Sequence, residues 1–156
     1  MKNKLLDKVF YIFAMVTAIT LTSPFFNYKP TTEGAGETGD NWFIWGDFNL
    51  LDVVTGGLPR FAKVPIAPFF KVLIVFSALV LAATVFQFVG ALFRQRKQVL
   101  FAALTVFVFL LGGLIYVTTG SFGVTIKTGY YLFMAFEAAV VALGIYVGKK
   151  QKAVSA

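Results

Sequence analysis

The chain has 156 residues, of which 58% are hydrophobic and 13% charged, with a mean hydropathy of +0.80. A soluble domain carries about 25% charged residues, so this composition excludes a water-facing globule and asks where the chain crosses a bilayer. The absence of cysteine and histidine excludes disulfide frameworks, thiol redox chemistry, imidazole-held haem or zinc, and histidine acid–base catalysis.

About 20 mostly apolar residues are needed to span about 30 Å of hydrocarbon as a helix. The first segment that qualifies runs from Val9 to Phe26 (9–26), and Pro24 marks its outer end. The basic start MKNKLLDK followed by a short apolar run also has the form of a secretory signal. No A-x-A-like site follows it, so it reads as a retained first helix.

A loop, 27–68, then extends far beyond the roughly two to eight residues usual between helices. Its first part, Thr31 to Asp40, is acidic and glycine-rich, with little reason to order. From Asn41 it turns aromatic and aliphatic and holds both tryptophans, Trp42 and Trp45, at a spacing that shares one helical face. Asn49 or Asp47 suits the cap of a short amphipathic helix through Leu50, Leu51, Val53 and Val54. Trp42, Trp45, Phe48 and Phe61 read either as an interfacial aromatic belt or as a docking surface for another membrane protein or ligand.

The second span, 69–93, opens just after Pro65 and Pro68. A tight basic turn with Arg94, Arg96 and Lys97 leads to the third, 98–118. The second outer loop, TGSFGVTIK, has the period of a strand at Phe122, Val124 and Ile126. It could pair with an extended stretch such as Trp42 to Phe48 to form a small extracellular sheet. The fourth span is 128–148, and Lys149, Lys150 and Lys152 follow it.

Nine of the fourteen basic residues lie at the two termini and the turn after the second span, which places both termini in the cytoplasm. The net charge of +7 is then a topology signal that attracts anionic lipid and calls for no nucleic-acid partner. Eleven lysines against three arginines hint at a low-GC prokaryote, and the expected location is a prokaryotic cytoplasmic membrane. Four helices, a long tryptophan-bearing first outer loop, a short second one and both ends inside make a layout similar to that of claudin-like tetraspan proteins. The cysteine pair of their first loop has no counterpart here, and no function is carried across.

Within the spans, Glu137 is the only acidic residue and falls near mid-membrane, where a carboxyl is a functional-site candidate. It either carries a proton or turns inward. Thr17, Ser77, Thr84 and Thr105 sit at comparable depths on the other helices and offer a polar centre. Gln87 reads as a separate amide that reaches backbone or water. Lys71 and Lys127 lie too near the outer surface to reach Glu137 and can snorkel outward. Gly144 and Gly148 form a G-x-x-x-G suited to close helix packing, within the bundle or between chains.

No catalytic motif occurs in a plausible context, and no internal repeat points to an alternating-access transporter. The sequence therefore reads as a single all-α integral membrane domain, 1–156, with four transmembrane helices and a partly ordered outer loop. Its expected role is that of a non-enzymatic accessory or scaffold subunit, with no cofactor or metal. The expected partners are membrane lipid and another membrane protein or a second copy. The alternative is a small proton- or cation-coupled transporter or channel using Glu137.

Overall fold

The computed structural model describes residues 2–28, 46–54, 68–120 and 124–155. Helix α1 (Lys2–Val16) passes into a 3-10 segment (Thr17–Thr22) and then strand β1 (Phe26–Tyr28). Strand β2 (Gly46–Phe48) and the short helix α2 (Leu50–Val54) follow. The rest is α3 (Pro68–Leu92), α4 (Arg96–Thr119), strand β3 (Val124–Ile126) and α5 (Thr128–Ser155). Four helical stretches are long and apolar enough to cross a membrane: Leu5–Thr22, Lys71–Leu92, Arg96–Thr119 and Thr128–Lys150.

The four long helices close a ring, with α3 against α4, α4 against α5, α5 against α1, and α1 against α3. The turn between α3 and α4 is set by backbone geometry. Arg94 adopts a left-handed conformation at φ 55°, its N–H donates to the Ala91 carbonyl, and the Gln95 N–H donates to the Gly90 carbonyl at 2.7 Å. This is a Schellman stop, with an arginine where glycine is usual. The Tyr11 hydroxyl donates to the Arg94 carbonyl at 2.8 Å and ties α1 to the same turn.

At the other end of the bundle lies a three-stranded antiparallel sheet in the order β2-β1-β3. Phe26 stands opposite both Phe48 and Ile126, and Tyr28 opposite both Gly46 and Val124. A small sheet is present as expected, but its central strand begins in the tail of the first predicted span. The helix ends before Pro24, as that proline requires, and Phe25 and Phe26 continue as extended chain. The second-loop strand therefore pairs with β1, and β2 occupies the far side of β1. Lys127 N–H donates to the Phe25 carbonyl at 2.8 Å and Phe25 N–H to the Phe48 carbonyl at 3.0 Å, extending the ladder.

Asn49 is the cap of α2. Its Oδ1 accepts from the Asp52 N–H and the Asp52 carboxylate accepts from the Asn49 N–H, each at 2.9 Å, a reciprocal capping box. Leu50 and Val53 of this helix are buried, while Leu51 and Val54 are exposed.

Candidate functional site

On α3 the buried positions Leu73, Ser77, Val80, Thr84, Gln87 and Ala91 recur every three or four residues, which is one face of a helix. That face carries the helix's uncharged polar side chains, while Lys71 is exposed near its start and the other faces are exposed and apolar (Val75, Leu79, Val85, Phe86 and Phe88). On α5 the corresponding stripe is Tyr130, Phe133, Glu137, Val140 and Val147, and on the first helix it is Phe10, Ala14, Thr17 and Leu21.

Where these three stripes meet, Gln87, Thr17 and Glu137 are all fully buried. The Gln87 Nε2 lies 3.0 Å from Thr17 Oγ1, 3.3 Å from Glu137 Oε1 and 3.3 Å from the Ala14 carbonyl oxygen. The Thr17 hydroxyl donates to the Ala14 carbonyl at 2.9 Å. The site sits where α1 changes from α to 3-10 geometry. At such a change a carbonyl becomes available to neighbouring side chains, and the Gln87 amide takes up that of Ala14. The cluster thus links three helices through one amide. Gln87 Oε1 and Glu137 Oε2 have no hydrogen-bond partner among the described residues.

Of the expected polar centre, Thr17 joins Glu137 and the other three residues do not. Thr84 is buried but donates to the Val80 carbonyl of its own helix at 2.8 Å. Ser77 is buried with its hydroxyl unpartnered. Thr105 is half-buried and donates to Phe101 of its own helix at 2.9 Å. Gln87 is the residue that sequence reasoning set aside. Its signal was the 3–4 spacing with Ser77 and Thr84, which fixes a face, whereas counting depth from span ends fixes only a level.

Gly144 and Gly148 pack within the chain. A side chain at Gly144 would meet Leu100 and Phe10, and one at Gly148 would meet the Arg96 guanidinium.

Comparison with protein families, with curated proteins and with solved structures returns no match for this chain. The site must therefore be judged on its own geometry.

The sheet end offers a second polar group. Asp47 Oδ1 accepts from Asn27 Nδ2 at 2.7 Å and stands 3.1 Å from the Lys127 ammonium. The Asn27 hydrogen bond first, then Lys127, holds the Asp47 carboxyl below the usual carboxylate range. Lys127 turns outward, as its position predicts, and finds a partner there. Phe48, expected as a docking aromatic, is buried: its ring packs on Phe26 with centroids 5.5 Å apart. Its surface is already used inside the chain, because β2 places it over the bundle end. Trp42, Trp45 and Phe61 lie outside the described residues.

Two surface hollows lie elsewhere among the described residues. One of about 590 Å³ lies beside the α3–α4 turn, lined by Asp7, Tyr11, Arg96 and Lys97 among others. Another, of about 430 Å³, is an apolar groove between α3 and α4 that includes Phe76, Gly112 and Tyr116.

Proposed function

We propose that this is a four-span membrane protein with both termini in the cytoplasm, acting as a non-enzymatic accessory or scaffold subunit. It engages a larger membrane protein, or a second copy, through the aromatic half of its first outer loop and its exposed helix faces. The observation that carries the reading is the pairing of Tyr28 with Gly46 across β1 and β2. The sequence between them contains Trp42 and Trp45, and the two flanking strands are joined to the bundle core through Phe26 and Phe48. Tryptophan is among the residues most enriched at interface hot spots. Exposed Val75, Val85, Phe101 and Ile115 suit contact with lipid.

The test is purification in mild detergent with identification of stoichiometric partners, repeated for two variants. Replacing Trp42 and Trp45 together with alanine should release the partner, whereas deleting Gly34 to Gly39 should leave it bound. The opposite pattern would reverse the roles of the two loop halves. Orientation is read from single thiols in this cysteine-free chain: Ala35→Cys should react with an impermeant reagent in intact cells, and Gln95→Cys and Gln151→Cys only after permeabilisation.

One observation favours a second reading, a small proton- or cation-coupled transporter or channel. It is the buried carboxyl of Glu137 with an unpartnered oxygen. Solute flux into liposomes that disappears in Glu137→Gln would place this reading first.

A further inference from the structure

The polar layer has more oxygen acceptors than hydrogens. Its donors are the two amide hydrogens of Gln87 and the hydroxyl hydrogen of Thr17. The Thr17 hydroxyl donates to the Ala14 carbonyl and also lies beside the Glu137 carboxyl, and the amide nitrogen faces Thr17, Glu137 Oε1 and Ala14 together. Gln87 Oε1 and Glu137 Oε2 have no hydrogen-bond partner among the described residues, although both side chains are at 0% exposure. No lysine or arginine is buried among the described residues, so an ionised Glu137 has no counter-charge inside the bundle. A lone charge in apolar surroundings is strongly disfavoured. One positive charge shared between these two oxygens would balance the layer.

The surroundings fit such an occupant. Hard cations take oxygen ligands, and carbonyls freed at a break in a membrane helix are a recurrent source of them. Here the break supplies the Ala14 carbonyl and the Thr17 hydroxyl, while α3 and α5 supply an amide oxygen and a carboxylate. With one carboxylate in the set, a monovalent ion leaves the site neutral and a divalent one leaves it charged.

We infer that Glu137, Gln87, Thr17 and the Ala14 carbonyl form a binding site for one small monovalent cation, at the junction of the first, third and fifth helices. The shared chemistry is a positive charge held between oxygens, and it has two sources. A proton on Glu137 Oε2 would donate to Gln87 Oε1 while Gln87 Nε2 donates to Glu137 Oε1, closing an acid–amide pair. A sodium-sized ion would be held after a half-turn of the Gln87 amide, which sets its oxygen among those of Ala14, Thr17 and Glu137. In either case the occupant fastens α5 and α3 to the weak point of the first helix, and it does so independently of any partner at the sheet end.

Two measurements on the full chain in mild detergent decide the matter. The first is thermal stability in sodium chloride exchanged against choline chloride at constant ionic strength. The second is the infrared spectrum at neutral pH, read for the carbonyl stretch of a protonated carboxyl. A sodium site gives a saturable rise in the thermal midpoint of about 5 °C or more at saturation, absent in Glu137→Gln. A proton site gives no sodium response but a carboxylic-acid band that Glu137→Gln removes. Gln87→Leu, which keeps the carboxyl, should weaken the sodium response or shift that band, and it serves as the control if Glu137→Gln does not fold. A wild-type protein that shows only carboxylate bands and no sodium response overturns the inference, as does a Gln87→Leu variant identical to wild type in both.

Discussion

The two apolar cores of the bundle, one on either side of the polar layer, are built by opposite means. At the sheet end the space between helices is filled mainly by rings, although Gly113 and Gly129 also let Phe76, Tyr130 and the Pro24 carbonyl lie close to backbone. Phe25 packs against Tyr130 and Phe133 with centroids 5.7 and 5.5 Å apart, and Phe26 lies 5.6 Å from Tyr130. Leu50 and Val53 of α2 join the same core. At the turn end the core is Phe10, Ala14, Ala91, Val99, Ala103, Val140 and Val147, with Gly90, Gly144 and Gly148 allowing side chains of the facing helix to lie against backbone. Large rings hold helices apart, and small residues let them approach. The lesson is that the two ends should fail in opposite directions, one when a side chain is cut back and the other when one is enlarged.

The largest effect is expected at the sheet end. Phe25→Ala removes a fully buried ring from the centre of the aromatic core and should cost about 3–5 kcal/mol, seen as loss of a cooperative thermal transition or a large fall in its midpoint. Next comes the turn end, where Gly144→Val pushes a branched side chain into Leu100 and Phe10. A cost of about 1–3 kcal/mol is expected in the same assay. If Gly144→Val is silent while truncation of Val99 is severe, the turn end is held by volume and the contrast fails.

Gly112→Ala sharpens the comparison because it is the same kind of change with the opposite sign. A Cβ at Gly112 meets nothing within 4 Å, so the alanine should stabilise α4 by about 0.5–1 kcal/mol through its helix preference. A destabilising result would mean that something occupies the groove above it. The smallest effect belongs to Asp47, which is on the exposed side of the sheet. Its carboxyl is held below the usual range by Asn27 and Lys127. Its contribution is therefore present above the ordinary aspartate value of about 4 and is lost as pH falls through the lower folded value. A thermal midpoint followed from about pH 7 to about pH 3 should lose slightly less in Asp47→Asn than in the wild type. An equal loss in both would assign the acid limb to other carboxyls.

The helices were legible because a membrane span is specified by length and apolarity alone. Predicted limits of 69–93, 98–118 and 128–148 stand beside Pro68–Leu92, Arg96–Thr119 and Thr128–Ser155. The interior was harder to read. In α3 every face is apolar enough for lipid, so hydrophobicity does not mark the buried side, and only Ser77, Thr84 and Gln87 do. The 3-10 turn was missed for a local reason. Thr17, Thr20 and Thr22 each donate their hydroxyl to the carbonyl three residues back, a competition with the backbone that apolar averaging does not register. The second-loop strand was visible in its alternation. Its partner was hidden because Phe26 to Tyr28 looked like the end of a helix and the start of a loop.

The β1–β2 hairpin also determines how this protein can be altered. Because Tyr28 and Gly46 are opposite one another, the two chain ends that enter and leave residues 29–45 are held about 5 Å apart by bonds outside that stretch. Each doubling of a closed loop's length adds only about 0.6 kcal/mol of closure entropy. Lengthening the connection between Tyr28 and Gly46 therefore adds only a small entropic cost to the pairing of β1 with β2.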